Sequence, residues 1–292
     1  MKRSKKTDRQ PTDRKTIQPI DIVISPTALF LIAWLLMMIS IPIIGWVGDA
    51  YFEAGVMLGV LLQACTVITI LQQAWGTAQV VKLISLIVPI TWLLEFNGSQ
   101  TGIPFGKYHY TDILQPQIGG VPIIIPIAWL MMLPVSWGVA AAILRGGDGK
   151  GRVEQNHAKA ISSHYALQFS LLSGLAMTAW DLFLDPQMVG WSYWVWDQPG
   201  SYFGIPLVNF VGWWVCSALI TRAMLYIIDP QILPTKPLVM IYAIVWALQS
   251  VGQALFWSQP GPAAFGFIGM GIPLWVALFQ LRHSKQVSLQ PS

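Results

Sequence analysis

Three carboxylates stand where an apolar sequence has little reason to put them. Glu95 follows Trp92-Leu93-Leu94, Asp181 follows Trp180, and Asp185 lies four residues further on, just before Pro186. Residues four apart share one face of a helix, so Asp181 and Asp185 become neighbours if this stretch is helical. Pro186 disfavours helical geometry at the residue before it, and a helix is expected to end at Asp185. All three acids then sit in the last turn or two of an apolar run. A helix C-terminus carries partial negative charge and disfavours a carboxylate there. A low-dielectric setting does the same. Both effects favour the neutral acid, and general-acid catalysis at neutral pH requires an acid that has kept its proton. The plainer role for any one of them is to pin a loop through a Tyr or Trp donor.

Other polar groups cluster near these acids in sequence. His109, between Tyr108 and Tyr110, has the chemistry to take a proton from attacking water; an interfacial hydrogen-bonding role suits a lone His between tyrosines better. Asn97 and Asn209 fall near the same level and are candidates to orient a water molecule. Gln249 and Gln253 share a helix face and fit interhelical hydrogen bonding. The chain holds 15 Trp and 12 Phe. Trp and Tyr form anchoring belts at membrane interfaces, which accounts for many. Yet Trp191, Tyr193, Trp194 and Trp196 crowd one short stretch, and Tyr202, Phe203, Trp213 and Trp214 follow. Aromatic faces stabilise a desolvated cation. Trp180, Trp191, Trp194, Trp196, Tyr202, Phe203 and Trp213 are therefore the candidate walls of a substrate site.

Several chemistries lack their parts. Asp181-x-x-x-Asp185 looks like half of a membrane prenyltransferase, but no second aspartate-rich segment follows, and Lys107 is the one cation expected near the acids. A diphosphate would go unneutralised. Gly146–Gly151 lacks the strand-to-helix setting of a phosphate cradle. Four scattered His build no di-iron box, and Cys65 and Cys216 lie in apolar stretches without ligand-like neighbours. Neither a metal nor an organic cofactor is expected. Proton chemistry on an apolar substrate, transport and scaffolding are left.

The elements that must position the acids come in two similar units. In the first, Trp92 and Glu95 close a span, an aromatic loop follows, and Gly120-Val121-Pro122 opens the next span. In the second, Trp180 and Asp181 close a span, an aromatic loop follows, and Gly204-Ile205-Pro206 opens the next. The acid-to-Pro distances are 27 and 25 residues. Internal duplication and coincidence in a Trp-rich chain both account for this. Pro122 and Pro206 are expected in the first turns of their helices, where a missing N–H costs nothing.

The whole chain dictates the setting. Of 292 residues, 54% are hydrophobic and 10% charged, and the mean hydropathy is +0.57. A water-facing domain carries roughly 25% charged residues. This is an integral membrane protein, all-α, and a soluble enzyme or a disulfide scaffold is excluded. About 20 apolar residues cross a bilayer. Eight such runs are expected, near 26–48, 53–74, 78–96, 120–144, 161–184, 204–228, 237–257 and 261–281. With eight spans, 16 of the 17 Lys and Arg fall on one side and only Lys107 on the other. The positive-inside rule puts the first side, and both termini, in the cytoplasm. The organisation expected is a basic, mobile tail over 1–22 that touches anionic lipid, a single bundle over 23–284, and a short tail over 285–292. The net charge of +4 sits in tail and loops and does not signal nucleic acid.

Three stretches resemble the carotenoid biosynthesis membrane protein family: Thr101–Asp112 (TGIPFGKYHYTD) with Gly119–Pro122 (GGVP), Trp180–Asp181 with Asp185–Pro186, and Gly200–Trp213 (GSYFGIPLVNFVGW). The resemblance covers about 95–215. It departs at Gln115, where the family often has Gly. Members include hydratases that add water across the terminal 1',2' double bond of γ-carotene-like or C50 carotenoids. The resemblance thus implies a carotenoid substrate, a plasma or thylakoid-type membrane, and other carotenoid enzymes as neighbours. It agrees with the acids. Hydrating an isolated trisubstituted alkene needs an acid and water: a proton adds to the less substituted carbon, and water captures the tertiary cation. Asp181 or Asp185 is expected to give the proton. Glu95 or the other Asp positions water or takes the final proton, with His109, Tyr108, Tyr110, Asn97 and Asn209 in support. The rivals are another isoprenoid end-group reaction, cyclisation or isomerisation; a carotenoid-binding scaffold or carrier; and, last, a proton-coupled transporter.

Overall fold

A computed structural model describes residues 25–147 and 162–287. The expected basic tail, most of the 145–160 loop and the last five residues lie outside the described part. Among the described residues, eight helices are long and apolar enough to cross a membrane. They are α1 (Pro26–Ile44), α2 (Asp49–Trp75), α3 (Thr77–Thr101), α4 (Ile124–Gly147), α5 (Ser163–Gly190), α6 (Leu207–Met224), α7 (Thr235–Leu255) and α8 (Pro260–Val287). The eight expected runs are these eight helices. Helical spans pair most of their backbone groups internally, the condition for lying in lipid. Ser25 and Ser162 cap α1 and α5 by accepting from the amides of Ala28 and Tyr165, both at 3.2 Å.

The centre of the bundle is α4, which packs against α2, α3, α5, α7 and α8. Its Met132, Leu133, Val135, Trp137 and Val139 are fully buried. Small residues let neighbours close in. A Cβ on Gly138 would come within 2.5 Å of Leu238 Cβ on α7, and one on Gly174 within 2.6 Å of the Trp214 carbonyl on α6. Close approach of this kind is what holds helices together where lipid offers no hydrophobic gain.

Among the described residues, four short strands, not anticipated from sequence, order the loops at one end. They are β1 (Tyr108–Tyr110), β2 (Gln117–Ile118), β3 (Val121–Pro122) and β4 (Trp194–Trp196). β1 lies in the loop after α3 and β4 in the loop after α5, and they pair antiparallel: Tyr108 with Trp196, His109 with Val195, Tyr110 with Trp194. That register is a local two-fold relation centred on His109 and Val195. The Trp seven residues after each loop proline, Trp129 and Trp213, stack on each other with centroids 4.2 Å apart and planes at 4°. Both features favour internal duplication as the origin of the two units.

Three boundary expectations need correction. Pro122 belongs to β3, paired with Gln117, and α4 begins only at Ile124. Pro206 is the residue before α6, not in its first turn. Both Gly-x-Pro segments are held extended, Val121 by Ile118 and Ile205 by Tyr202. Most consequentially, α5 does not stop at Asp185 but continues through Pro186 to Gly190. Asp181 therefore lies more than two turns inside its helix, beyond the reach of the terminal dipole, and its setting is governed by burial instead.

Candidate active site

Proline inside a helix cannot donate to the carbonyl four residues back. For Pro186 that carbonyl belongs to Leu182, and the Tyr202 hydroxyl donates to it at 3.0 Å. Gln253 of α7 donates to the adjacent Phe183 carbonyl at 2.6 Å, and Gln259 to the Pro186 carbonyl at 2.7 Å. Side chains from the β4–α6 loop, α7 and the α7–α8 turn thus replace what proline removes, and α5 survives the interruption. The acids of α5 are held at the start of this braced segment.

Strands send alternate side chains to opposite faces. Tyr108 and Tyr110 of β1, and Trp194 and Trp196 of β4, point inward to the acids; His109 and Val195 point outward. Glu95 is buried and accepts three neutral donors: the hydroxyls of Tyr108 and Tyr110 on Oε2, at 2.5 and 2.8 Å, and the Trp129 indole on Oε1 at 2.9 Å. Asp185 is matched in kind. It accepts the indoles of Trp194 and Trp196 on Oδ1, at 2.7 and 3.4 Å, and the Asn209 amide on Oδ2 at 2.5 Å. Each acid thus takes two donors from the strand that follows it and one from the next helix. Asn209 also donates to Asp181 Oδ2 at 2.8 Å, so one amide bridges two carboxyls. Asp181 Oδ1 is buried without a partner.

Burial, with the Glu95 charge beside them, pushes the phenols of Tyr108 and Tyr110 well above their usual 10. Both stay protonated and remain donors. No Lys, Arg or His is among the donors to the three acids. Nor do three His, Cys, Asp or Glu side chains converge, among the described residues, as a metal site would need.

Glu95 and Asp185 open onto one cavity. Its walls carry the indoles of Trp129, Trp180, Trp194, Trp196 and Trp213, and its far side is apolar, from Val56, Met57 and Val60 of α2. Trp180 meets Trp213 edge to face with centroids 6.3 Å apart, so several indole planes surround one space. Asn209 reaches the cavity; Asp181 does not, being fully buried behind it.

The structure separates the candidates named from sequence. Glu95, Asp181, Asp185, Tyr108, Tyr110, Asn209, Trp180, Trp194, Trp196 and Trp213 come together. Five do not. His109 is on the outer face of β1, where Nδ1 lies 3.1 Å from Asp197 Oδ1. Asn97 donates to the Ile103 carbonyl at 2.6 Å and pins the start of its loop. Trp191 packs against Phe52, Tyr193 and Trp257, away from the cavity. Tyr202 serves the Leu182 carbonyl, and the half-exposed Phe203 packs on Phe265. Strand alternation explains His109, and the Pro186 interruption explains Tyr202. Sequence reasoning missed Trp129, Phe105 and the α2 wall. Trp129 left a signal in its spacing from Pro122, equal to that of Trp213 from Pro206; the α2 residues left none.

The sequence profile of carotenoid biosynthesis proteins matches residues 54–273, from α2 into α8. The chain belongs to the carotenoid biosynthesis protein family. Within it, bisanhydrobacterioruberin hydratase of Haloarcula japonica is 26% identical over 121 residues, 41% of this chain and 36% of that protein. The aligned part is thus about a third of the relative's length. No solved structure matches the chain. For a carotenoid biosynthesis protein, a largely apolar cavity in a multi-pass membrane bundle suits the lipophilic molecules of the pathway. The family match takes in the helices that carry all three acids and both paired loops.

Proposed function

We propose that this protein hydrates the terminal 1',2' double bond of an acyclic carotenoid end group, as in γ-carotene or lycopene, giving a tertiary alcohol. The observation that carries the reading is one cavity that joins two carboxyl groups, Asp185 and Glu95, to a wall of indoles, with no cation among the described lining residues. The hydratase name of the Haloarcula japonica relative supports the same direction.

The geometry supports the following steps. Asp181 and Asp185 share one amide donor in an apolar enclosure, and two adjacent charges there repel strongly. The pair therefore holds a proton between them, and Asp185, the member that reaches the cavity, delivers it to the less substituted alkene carbon. The π bond breaks, and a tertiary cation forms at the other carbon. The faces of Trp129, Trp180 and Trp213 stabilise it. Glu95, acting in its carboxylate form, orients a water molecule through the same face of the cavity and takes its proton as the C–O bond forms. Water then returns that proton to the Asp181–Asp185 pair, so the cycle closes on substrate plus water. The end group enters from the side of the membrane opposite the termini, where water is at hand, and the polyene runs along the bundle.

The test is expression in a bacterial host that accumulates γ-carotene or lycopene, with pigments analysed by mass spectrometry. A pigment heavier by one water, its oxygen labelled from heavy-oxygen water, is expected. An isomer of unchanged mass would replace this reading with cyclisation or isomerisation. Unmodified pigment co-purifying with membrane-inserted protein would replace it with a carrier.

A further inference from the structure

At the end of the bundle away from the acids, an open groove runs between α7 and α8. Its walls are Val239, Met240, Ala243, Leu278 and Leu281, and its only charged lining groups are Lys236 and Arg282. Lys236 is the second residue of α7, and Arg282 lies at the end of the α8 span. Both cations therefore sit at the bilayer boundary, one from each helix lining the groove. Neither forms an ion pair among the described residues. From Lys236 the groove extends inward to Ala243, roughly 10 Å at the helical rise per residue. Charge at the mouth and hydrocarbon below is the layout of a phospholipid, with phosphate at the boundary and acyl chains beneath it.

We propose that this groove binds an anionic phospholipid, its phosphate between Lys236 and Arg282 and an acyl chain against Met240, Ala243 and Leu278. Charge complementarity selects the class. Two cations without an acid among them favour a net-negative headgroup, and they repel the ammonium that a phosphatidylcholine headgroup carries. Basic pockets between helices at a membrane face recognise anionic headgroups in this way. The site lies at the opposite end from the reaction cavity and does not depend on what that cavity does.

Native mass spectrometry tests it on the full chain, purified, delipidated and incubated with mixed micelles holding equal phosphatidylglycerol and phosphatidylcholine. Wild-type protein is expected to retain phosphatidylglycerol preferentially. K236Q/R282Q should lose that preference by about thirtyfold, since each cation near an anionic surface contributes about 1 kcal/mol. M240W keeps both charges but fills the groove, and should lower retention of either lipid. Equal retention of the two lipids by wild type would overturn the proposal. So would unchanged retention in both variants, or a dimer lost in M240W with lipid binding intact. Full displacement of the lipid by inorganic phosphate would assign the cations to free phosphate instead.

Discussion

At the residue scale, the arrangement divides labour between two aspartates that sequence alone treats alike. Asp185 faces the cavity and Asp181 does not. Asp185→Asn is therefore expected to cut hydration by roughly 100-fold or more, the range for loss of a general acid. Asp181→Asn keeps a polar group against Asn209 and should cost less; pigment yield per unit of membrane-inserted protein measures both. If the two variants and Glu95→Gln all hydrate at the wild-type rate, the acids have no catalytic part. Tyr108 and Tyr110 give a second expectation. Their folded pKa values lie above the unfolded 10, so folding holds their protons more tightly. The stability they contribute is fully present below pH 10 and is lost as pH rises beyond it. In alkaline absorbance titration, replacing both by Phe should leave the rise near pH 10 unchanged in folded protein and shrink it in denatured protein. The residue types of the site were legible because an acid in an apolar run is conspicuous. Which side chains face the cavity was not, since that depends on helix phase and strand alternation. A loop read without its strands cannot show that His109 and Tyr108 point in opposite directions.

At the element scale, the decisive feature is a helix that outlives its proline. The rule that Pro186 should end α5 was sound locally. Tertiary contacts overrode it, because Tyr202, Gln253 and Gln259 supply donors to the carbonyls around the interruption. Those donors come from 16 to 73 residues away in sequence, counting from Pro186, and no local pattern reveals them. Tyr202→Phe leaves the partly buried Leu182 carbonyl without its donor. It is expected to cost about 1–3 kcal/mol. A lower thermal midpoint in detergent, with less effect from Phe203→Leu on the half-exposed neighbour, would bear this out. The spans themselves were readable from hydropathy, since eight apolar runs of the right length leave little freedom. The short strands were not, because three residues of Tyr, His and Tyr carry too little pattern to distinguish a strand from a turn.

At the scale of the whole molecule, the bundle is polarised. Among the described residues, Lys82, Arg145, Arg222, Lys236 and Arg282 lie toward one end, and Lys107 toward the end with the acids. If that polarity is the membrane's own, Lys107→Cys in intact cells should react with a membrane-impermeant maleimide and Arg282→Cys should not. The native thiols interfere little, since Cys216 is buried and Cys65 partly so. Reversed labelling would put the acids on the cytoplasmic side. The two related halves also meet face to face at Trp129 and Trp213, parallel and 4.2 Å apart. Two identical chromophores held that close share their excited state, so light absorbed by one is delocalised over both. The cavity wall therefore carries its own optical gauge: a guest that tilts either ring changes the circular dichroism and fluorescence of the pair, and occupancy becomes readable without attaching any dye.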